Sequence, residues 1–125
     1  MSNVVLIMQR KAIVQVLMNR LGNNPYIRLI YESDYNNAKT SIDKHKAKAA
    51  LVEVAETGPY NIRYCLALCK ELRESKPDCK LILMCPEDDE GSVKQVVEAK
   101  GKNGIDDFVF YDVTIDYLTS KLISI

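Results

Sequence analysis

No excess of charge of either sign, no long hydrophobic run and only one histidine mark this sequence of 125 residues. Its 17 Lys plus Arg balance 17 Asp plus Glu, which excludes binding to nucleic acid through bulk positive charge. With 47% apolar residues it can bury a core and is not a disordered tail. Apolar stretches such as Val4 to Met8 and Leu81 to Cys85 fall far short of the roughly 20 residues a membrane helix needs. Met1-Ser2-Asn3 runs directly into the first of them, without a basic segment, a long apolar stretch or a small-residue cleavage site. No secretion signal is therefore expected, and a cytoplasmic setting with reduced thiols is.

The cysteines, Cys65, Cys69, Cys79 and Cys85, lack the paired short turns that wrap a zinc ion. Cys65 and Cys69 are one helical turn apart and share a face with Ile62, Leu66 and Leu72, which reads as core. Packed, inert thiols are expected, and no metal site. His45 falls near the end of a helical stretch as a lone surface histidine. No Cys-His or Ser-His-Asp arrangement forms around it.

Val4 to Met8 lacks polar alternation, as a central strand covered on both faces does. Ile13, Val14, Leu17, Met18 and Leu21 then repeat at helical spacing, and Gly22 with Asn23-Asn24-Pro25 supplies the stop. Tyr26 to Tyr31 reads as a second strand. Ser33 or Asp34 then caps a helix with the thin stripe Tyr35, Ala38 and Ile42, expected to be mostly solvated. Ala49 to Ala55 is the third strand, closed by Glu56-Thr57-Gly58-Pro59, where Gly tolerates positive φ. The helix from Asn61 to Ser75 has the clearest period in the chain, and Pro77 ends it. Leu81 to Cys85 is strand four. The run Glu87-Asp88-Asp89-Glu90 begins a helix carrying Val93, Val96 and Val97, its negative charge suiting the helix dipole. Phe108 to Tyr111 is strand five, and Thr114 caps a last helix with Ile115, Leu118 and Leu122 inward.

Five strands alternating with five helices imply a parallel sheet covered on both faces. The count fits an α/β flavodoxin-like sandwich with strand order 2-1-3-4-5, filling residues 1–125 as one domain. Ligands on such sheets bind outside the carboxyl ends of the strands. Function should therefore be read at Met8 to Lys11, Glu53 to Pro59, Cys85 to Asp89 and Tyr111 to Val113.

With these segments the chain resembles the receiver domain of two-component response regulators over essentially its whole length. In that family strand one ends in two acids that hold Mg²⁺, and strand three in the Asp that takes the phosphoryl group. Strand four ends in Thr or Ser, and strand five in Lys-Pro. Val5-Leu6-Ile7-Met8-Gln9-Arg10 matches the first segment, so Gln9 and Arg10 stand where the acids belong. Ala50-Leu51-Val52-Glu53-Val54 puts Glu53 at the phosphoacceptor position, and a slip of that alignment would bring Ala55 there. Leu81-Ile82-Leu83-Met84-Cys85-Pro86 places Cys85 at the Thr or Ser. Phe108-Val109-Phe110-Tyr111-Asp112 places Tyr111 at the Lys, Asp112 at the Pro, and Phe108 at the family's switch aromatic.

The framework is kept and the chemistry is replaced, the pattern of a degenerate receiver. Mg²⁺ needs carboxylate and water oxygens, and a guanidinium at Arg10 would repel the ion and take its place. Phosphoryl transfer needs that cation. The resemblance thus implies a regulatory module rather than an enzyme, without cofactor, metal or phosphorylation, in which Glu53 is either a permanent charge paired with Arg10 or Lys11 or a plain structural residue. The alternative within the resemblance is a conventional phosphoacceptor receiver, such as the N-terminal part of a transcription regulator.

Partners are expected through the face of the fourth helix, fifth strand and fifth helix. Lys94, Lys100 and Lys102 stand there against Asp106, Asp107, Asp112 and Asp116, a pattern suited to a homodimer or another protein partner. Phe108, without a hydroxyl, is expected to stay buried. A nucleotide or flavin carrier is disfavoured because Gln9-Arg10-Lys11-Ala12 offers no phosphate-cradling glycines. Once the five units are assigned no helix-turn-helix remains, so this domain alone is not expected to bind nucleic acid. No small-molecule substrate and no membrane are expected.

Overall fold

The computed structural model describes residues 1–88 and 90–124. Five strands, β1 (Ser2–Ile7), β2 (Ile27–Glu32), β3 (Ala49–Glu53), β4 (Lys80–Cys85) and β5 (Asp107–Phe110), alternate with five helices. The helices are α1 (Lys11–Leu21), α2 (Ala38–His45), α3 (Ile62–Ser75), α4 (Glu90–Gly101) and α5 (Ile115–Ile123). All strand pairs are parallel, in the order β2-β1-β3-β4-β5. Every strand therefore ends at the same edge, and the five loops that follow them share it.

Strand periodicity divides the core into two layers. Val4, Leu6, Ala49, Leu51, Ile82, Met84 and Val109 face α1 and α5, meeting Val14, Leu17, Leu118 and Leu122. Val5, Ile7, Ala50, Val52, Leu81, Leu83 and Cys85 face α2, α3 and α4. Burial on both sides is why β1, β3 and β4 carry unbroken apolar runs.

The caps explain where helices begin. Asn61 Oδ1 accepts from Tyr64 N at 3.0 Å and Thr114 Oγ1 from Tyr117 N at 3.1 Å. Asp34 Oδ1 accepts from Asn36 N at 3.0 Å, opening a 3-10 turn (Tyr35–Asn37) that leads into α2. Gly58 has φ +85°, as its turn required. Gly22 stops α1 differently: it is right-handed at φ −59°, and a Cβ there would meet the Met18 carbonyl at 2.8 Å.

Several expectations need correction. The stripe Tyr35, Ala38 and Ile42 is fully buried together with Ser41, so only the opposite face of α2 is solvated. In α4 Ser92 and Val96 are buried and Ala99 packs against the core, while Val97 is 50% exposed and Val93 half-buried. This helix begins at Glu90, so Glu87 and Asp88 lie in the preceding loop, and Asp89 is outside the described residues. Leu66 is only partly buried, and Leu68 takes the inward place beside Cys65 and Cys69. β3 ends at Glu53 rather than Ala55, and β5 at Phe110 rather than Tyr111.

Candidate functional site

The last residue of β3, Glu53, lies opposite Met84 of β4 and on the α1/α5 side of the sheet, following Ala49 and Leu51. It is 1% exposed. A carboxylate buried to this degree must be compensated, because desolvating an ionised group costs several kcal/mol. The loop after β1 supplies the compensation. Gln9 N and Arg10 N both donate to Glu53 Oε1, at 2.7 and 3.0 Å, and the Arg10 guanidinium Nε donates to Oε2. One carboxylate thus receives three N–H groups, two of them from successive backbone amides.

Arg10 reaches across four strand ends. From the end of β1 it pairs with Glu53 of β3, its Nη2 lies 3.4 Å from Met84 Sδ of β4, and its guanidinium carbon sits 4.0 Å from the Tyr111 ring centroid beyond β5. The stack on Tyr111 is a cation–π contact that only a planar guanidinium makes well. Burial and the Glu53 charge push the Tyr111 hydroxyl far above its ordinary pKa, with Arg10 pulling the other way. Lys11 is exposed on the first turn of α1, so the partner of Glu53 is Arg10.

The backbone of Glu53 is held as well. The buried Tyr35 hydroxyl donates to the Glu53 carbonyl at 2.6 Å, and the Tyr35 ring stacks on Tyr60 with centroids 4.0 Å apart. Cys65 Sγ approaches the same carbonyl at 3.7 Å. Gln9 turns its amide to the Ser33 carbonyl at 3.2 Å, fixing the first loop to the second. A cavity of about 260 Å³ opens over the group between Arg10, Thr57 and Tyr111.

Gln9, Arg10, Glu53 and Tyr111 are therefore brought together, and Cys85 is not. Cys85 sits on the opposite face of the sheet from Glu53, where its thiol approaches the Val109 carbonyl at 3.7 Å. Phe108 is only half-buried, edge-on to Phe110 and under the Lys100 ammonium, so the expected buried rotamer does not hold. Tyr35 and Met84 were not foreseen at the site. The thin stripe of α2 signalled Tyr35 only as core, and nothing in the sequence says where its hydroxyl goes.

All four cysteines are free and buried, and burial pushes Cys65 and Cys69 up to about 12 and Cys79 and Cys85 to about 11. Among the described residues no three His, Cys, Asp or Glu side chains are grouped to hold a metal, and no helix is long and apolar enough to cross a membrane. The acids offered above for a dimer are largely used within the chain. Asp107 pairs with Lys100 and Lys121, Asp106 with Arg73 and Lys80, and Asp116 with Arg20.

No family model and no curated protein matches this chain by sequence. Solved structures do. A response regulator from Thermotoga maritima is 21% identical with a TM-score of 0.76, covering 98% of this chain and 95% of its own. A DNA-binding response regulator of the LuxR family from Staphylococcus aureus is 13% identical with a TM-score of 0.76, covering 99% and 98%. The chain has the receiver-domain fold. A structure described as the adenylate cyclase from Rhodopirellula baltica shares it at 12% identity, with a TM-score of 0.79 over 98% of this chain and 84% of that one. Against the receiver fold, the group around Glu53 stands at the carboxyl edge of the sheet, where this architecture places its sites.

Proposed function

We propose that residues 1–125 form a receiver-type regulatory module of two-component signalling that is not phosphorylated and acts through protein contacts. The observation that carries this reading is the Arg10–Glu53 pair. A tethered cation, supplied by the chain itself, fills the role a divalent ion has in receivers, and its partner carboxylate already takes three N–H donors. An incoming phosphoryl donor would have to break that pair and then react without a metal to neutralise the equatorial oxygens. Glu53 is read as a permanent charge holding the module in one state, in a cytoplasmic setting.

Output is assigned to the face of α4, β5 and α5, toward a protein partner or a second copy. Lys94, Lys102 and Asp112 are among the exposed charges there that make no ion pair among the described residues. The reading includes no catalysis, cofactor or nucleic acid. Intact mass after incubation with acetyl phosphate and Mg²⁺ tests it. An unmodified chain is the expected result, and a metal-dependent phosphoryl adduct on Glu53 would overturn it.

A further inference from the structure

Zero net charge conceals two opposed ends. In the described loops that follow the strands, Asp34, Glu56, Glu87, Asp88 and Asp112 face a single cation, Arg10. At the other edge of the sheet Lys44, in the last turn of α2, and Lys46 and Lys48, in the turn that joins α2 to β3, are all exposed and without an ion pair among the described residues. Asp43, the acid nearest them in sequence, is taken by Lys76.

Each end also has a shape. The lysine turn is rigid: Lys46 caps α2 at φ 48°, Ala47 N donates to Ile42 O at 3.0 Å, and Lys48 N donates to Asn3 O at 2.9 Å. Asn3 Nδ2 further holds the His45 carbonyl at 2.7 Å. At the carboxyl edge a cleft of about 670 Å³ opens between the starts of α3 and α4, floored by Val54 and Pro86. Glu56, Asp88 and Glu90 line it against one cation, Arg63. Glu56, Asp88 and Glu90 make no ion pair among the described residues. The exposed Glu87 carboxyl is pushed above its ordinary pKa by a hydrogen bond to Asp112, by partial desolvation and by the charges of Asp112 and Asp88.

We propose that the lysine turn of one copy seats in the acidic cleft of a second copy. The two surfaces lie at opposite edges of one parallel sheet, so they cannot meet within a molecule, and the contact is head-to-tail. It uses neither α5 nor β5. Such a contact leaves one lysine turn and one cleft free on every pair and adds copies into chains as concentration rises. Charge complementarity steers it, so salt weakens it.

Sedimentation equilibrium tests this at ionic strengths of about 0.01 and 1 M, where the screening length is about 30 and 3 Å. Wild type should gain mass with concentration at low salt and sediment as a monomer at high salt. Two neutralised variants then assign the surfaces: Lys44→Ala/Lys46→Asn/Lys48→Ala, with Asn chosen for the left-handed position, and Glu56→Gln/Asp88→Asn/Glu90→Gln. All six side chains are exposed, and thermal melting checks that both variants fold. Each alone should associate at least tenfold more weakly than wild type, while their equimolar mixture should form a dimer and stop there. A wild type that stays monomeric at low salt, a variant that associates as wild type does, or a mixture that stays monomeric would each overturn the proposal.

Discussion

Arg10 and Glu53, separated by 43 residues, meet at the carboxyl edge of the sheet as a half-exposed guanidinium on a buried carboxylate. The pair is unequal. Arg10 keeps 38% of its side chain in contact with solvent, whereas Glu53 keeps 1% and depends on the first loop for every donor its carboxylate receives. Loss of the guanidinium leaves a buried charge with backbone donors only, a far costlier state than loss of an exposed ion pair.

Arg10→Ala should therefore destabilise the protein by about 2–4 kcal/mol in urea denaturation. Arg10→Lys should recover only part of this, because an ammonium does not stack on Tyr111 as a guanidinium does. In a double-mutant cycle with Glu53→Gln the coupling should reach about 1–3 kcal/mol. Strictly additive effects would show that the pair is incidental.

Tyr35→Phe removes one hydroxyl from a buried carbonyl contact while keeping the stack on Tyr60. A loss of about 1–2 kcal/mol is expected. Amide exchange should quicken at Val54 and Ala55 more than in β1. An unchanged stability would mean that the Glu53 carbonyl is satisfied without Tyr35.

The four thiols make an alkaline prediction. Their folded pKa values, about 11 to 12, lie above the ordinary value of about 8.5. A raised folded value means that the stabilisation is fully present below the unfolded pKa and is lost as pH rises through the folded ones. Denaturation midpoints should hold to about pH 8.5 and fall steadily up to about pH 12. Alkylation by iodoacetamide at neutral pH should be slow until denaturant is added. Rapid labelling of the folded chain would contradict the burial.

At the acid end the sign is opposite. Burial pushes Asp106 up, but the Leu81 N–H and the Arg73 guanidinium outweigh it and hold the carboxyl below its usual range. Asp107 is likewise raised by burial and lowered further by Lys121, by the Phe108 N–H and by Lys100. Their contribution is present above the ordinary Asp value of about 3.9 and is lost as pH falls through the lowered folded values. Asp106→Ala should flatten the acid limb of the stability curve and cost about 1–2 kcal/mol at neutral pH. An unaltered acid limb would show that neither carboxylate is linked to folding.

The order of elements and the two-sided burial of the central strands were legible because apolar runs and helical periods are local signals. Tyr35, Ala38 and Ile42 gave the right stripe, but its depth depends on Tyr60, 25 positions further along, stacking against it. Val97 follows the buried Val96 in α4, but successive helical positions face different sides, and it is 50% exposed. At the site, the alignment of Gln9, Arg10, Glu53 and Tyr111 identified side chains that do converge. Cys85 failed because side chains alternate across a strand, and its place in register puts the thiol on the face away from Glu53. Asp106, Asp107 and Asp116, read from the sequence as charges for a second copy, also find partners on neighbouring elements that sequence spacing does not bring into view.

The central claim is that Arg10 stands in for the metal and closes Glu53 to phosphoryl chemistry. The most direct measurement is the amide NMR spectrum of the intact chain titrated with Mg²⁺ and then beryllofluoride, a stable mimic of a bound phosphoryl group. The account predicts no saturable shift at Gln9, Arg10, Glu53 or Tyr111 at any Mg²⁺ concentration that saturates an acidic receiver pocket, with or without beryllofluoride. A stoichiometric, Mg²⁺-dependent shift centred on Glu53 would contradict it.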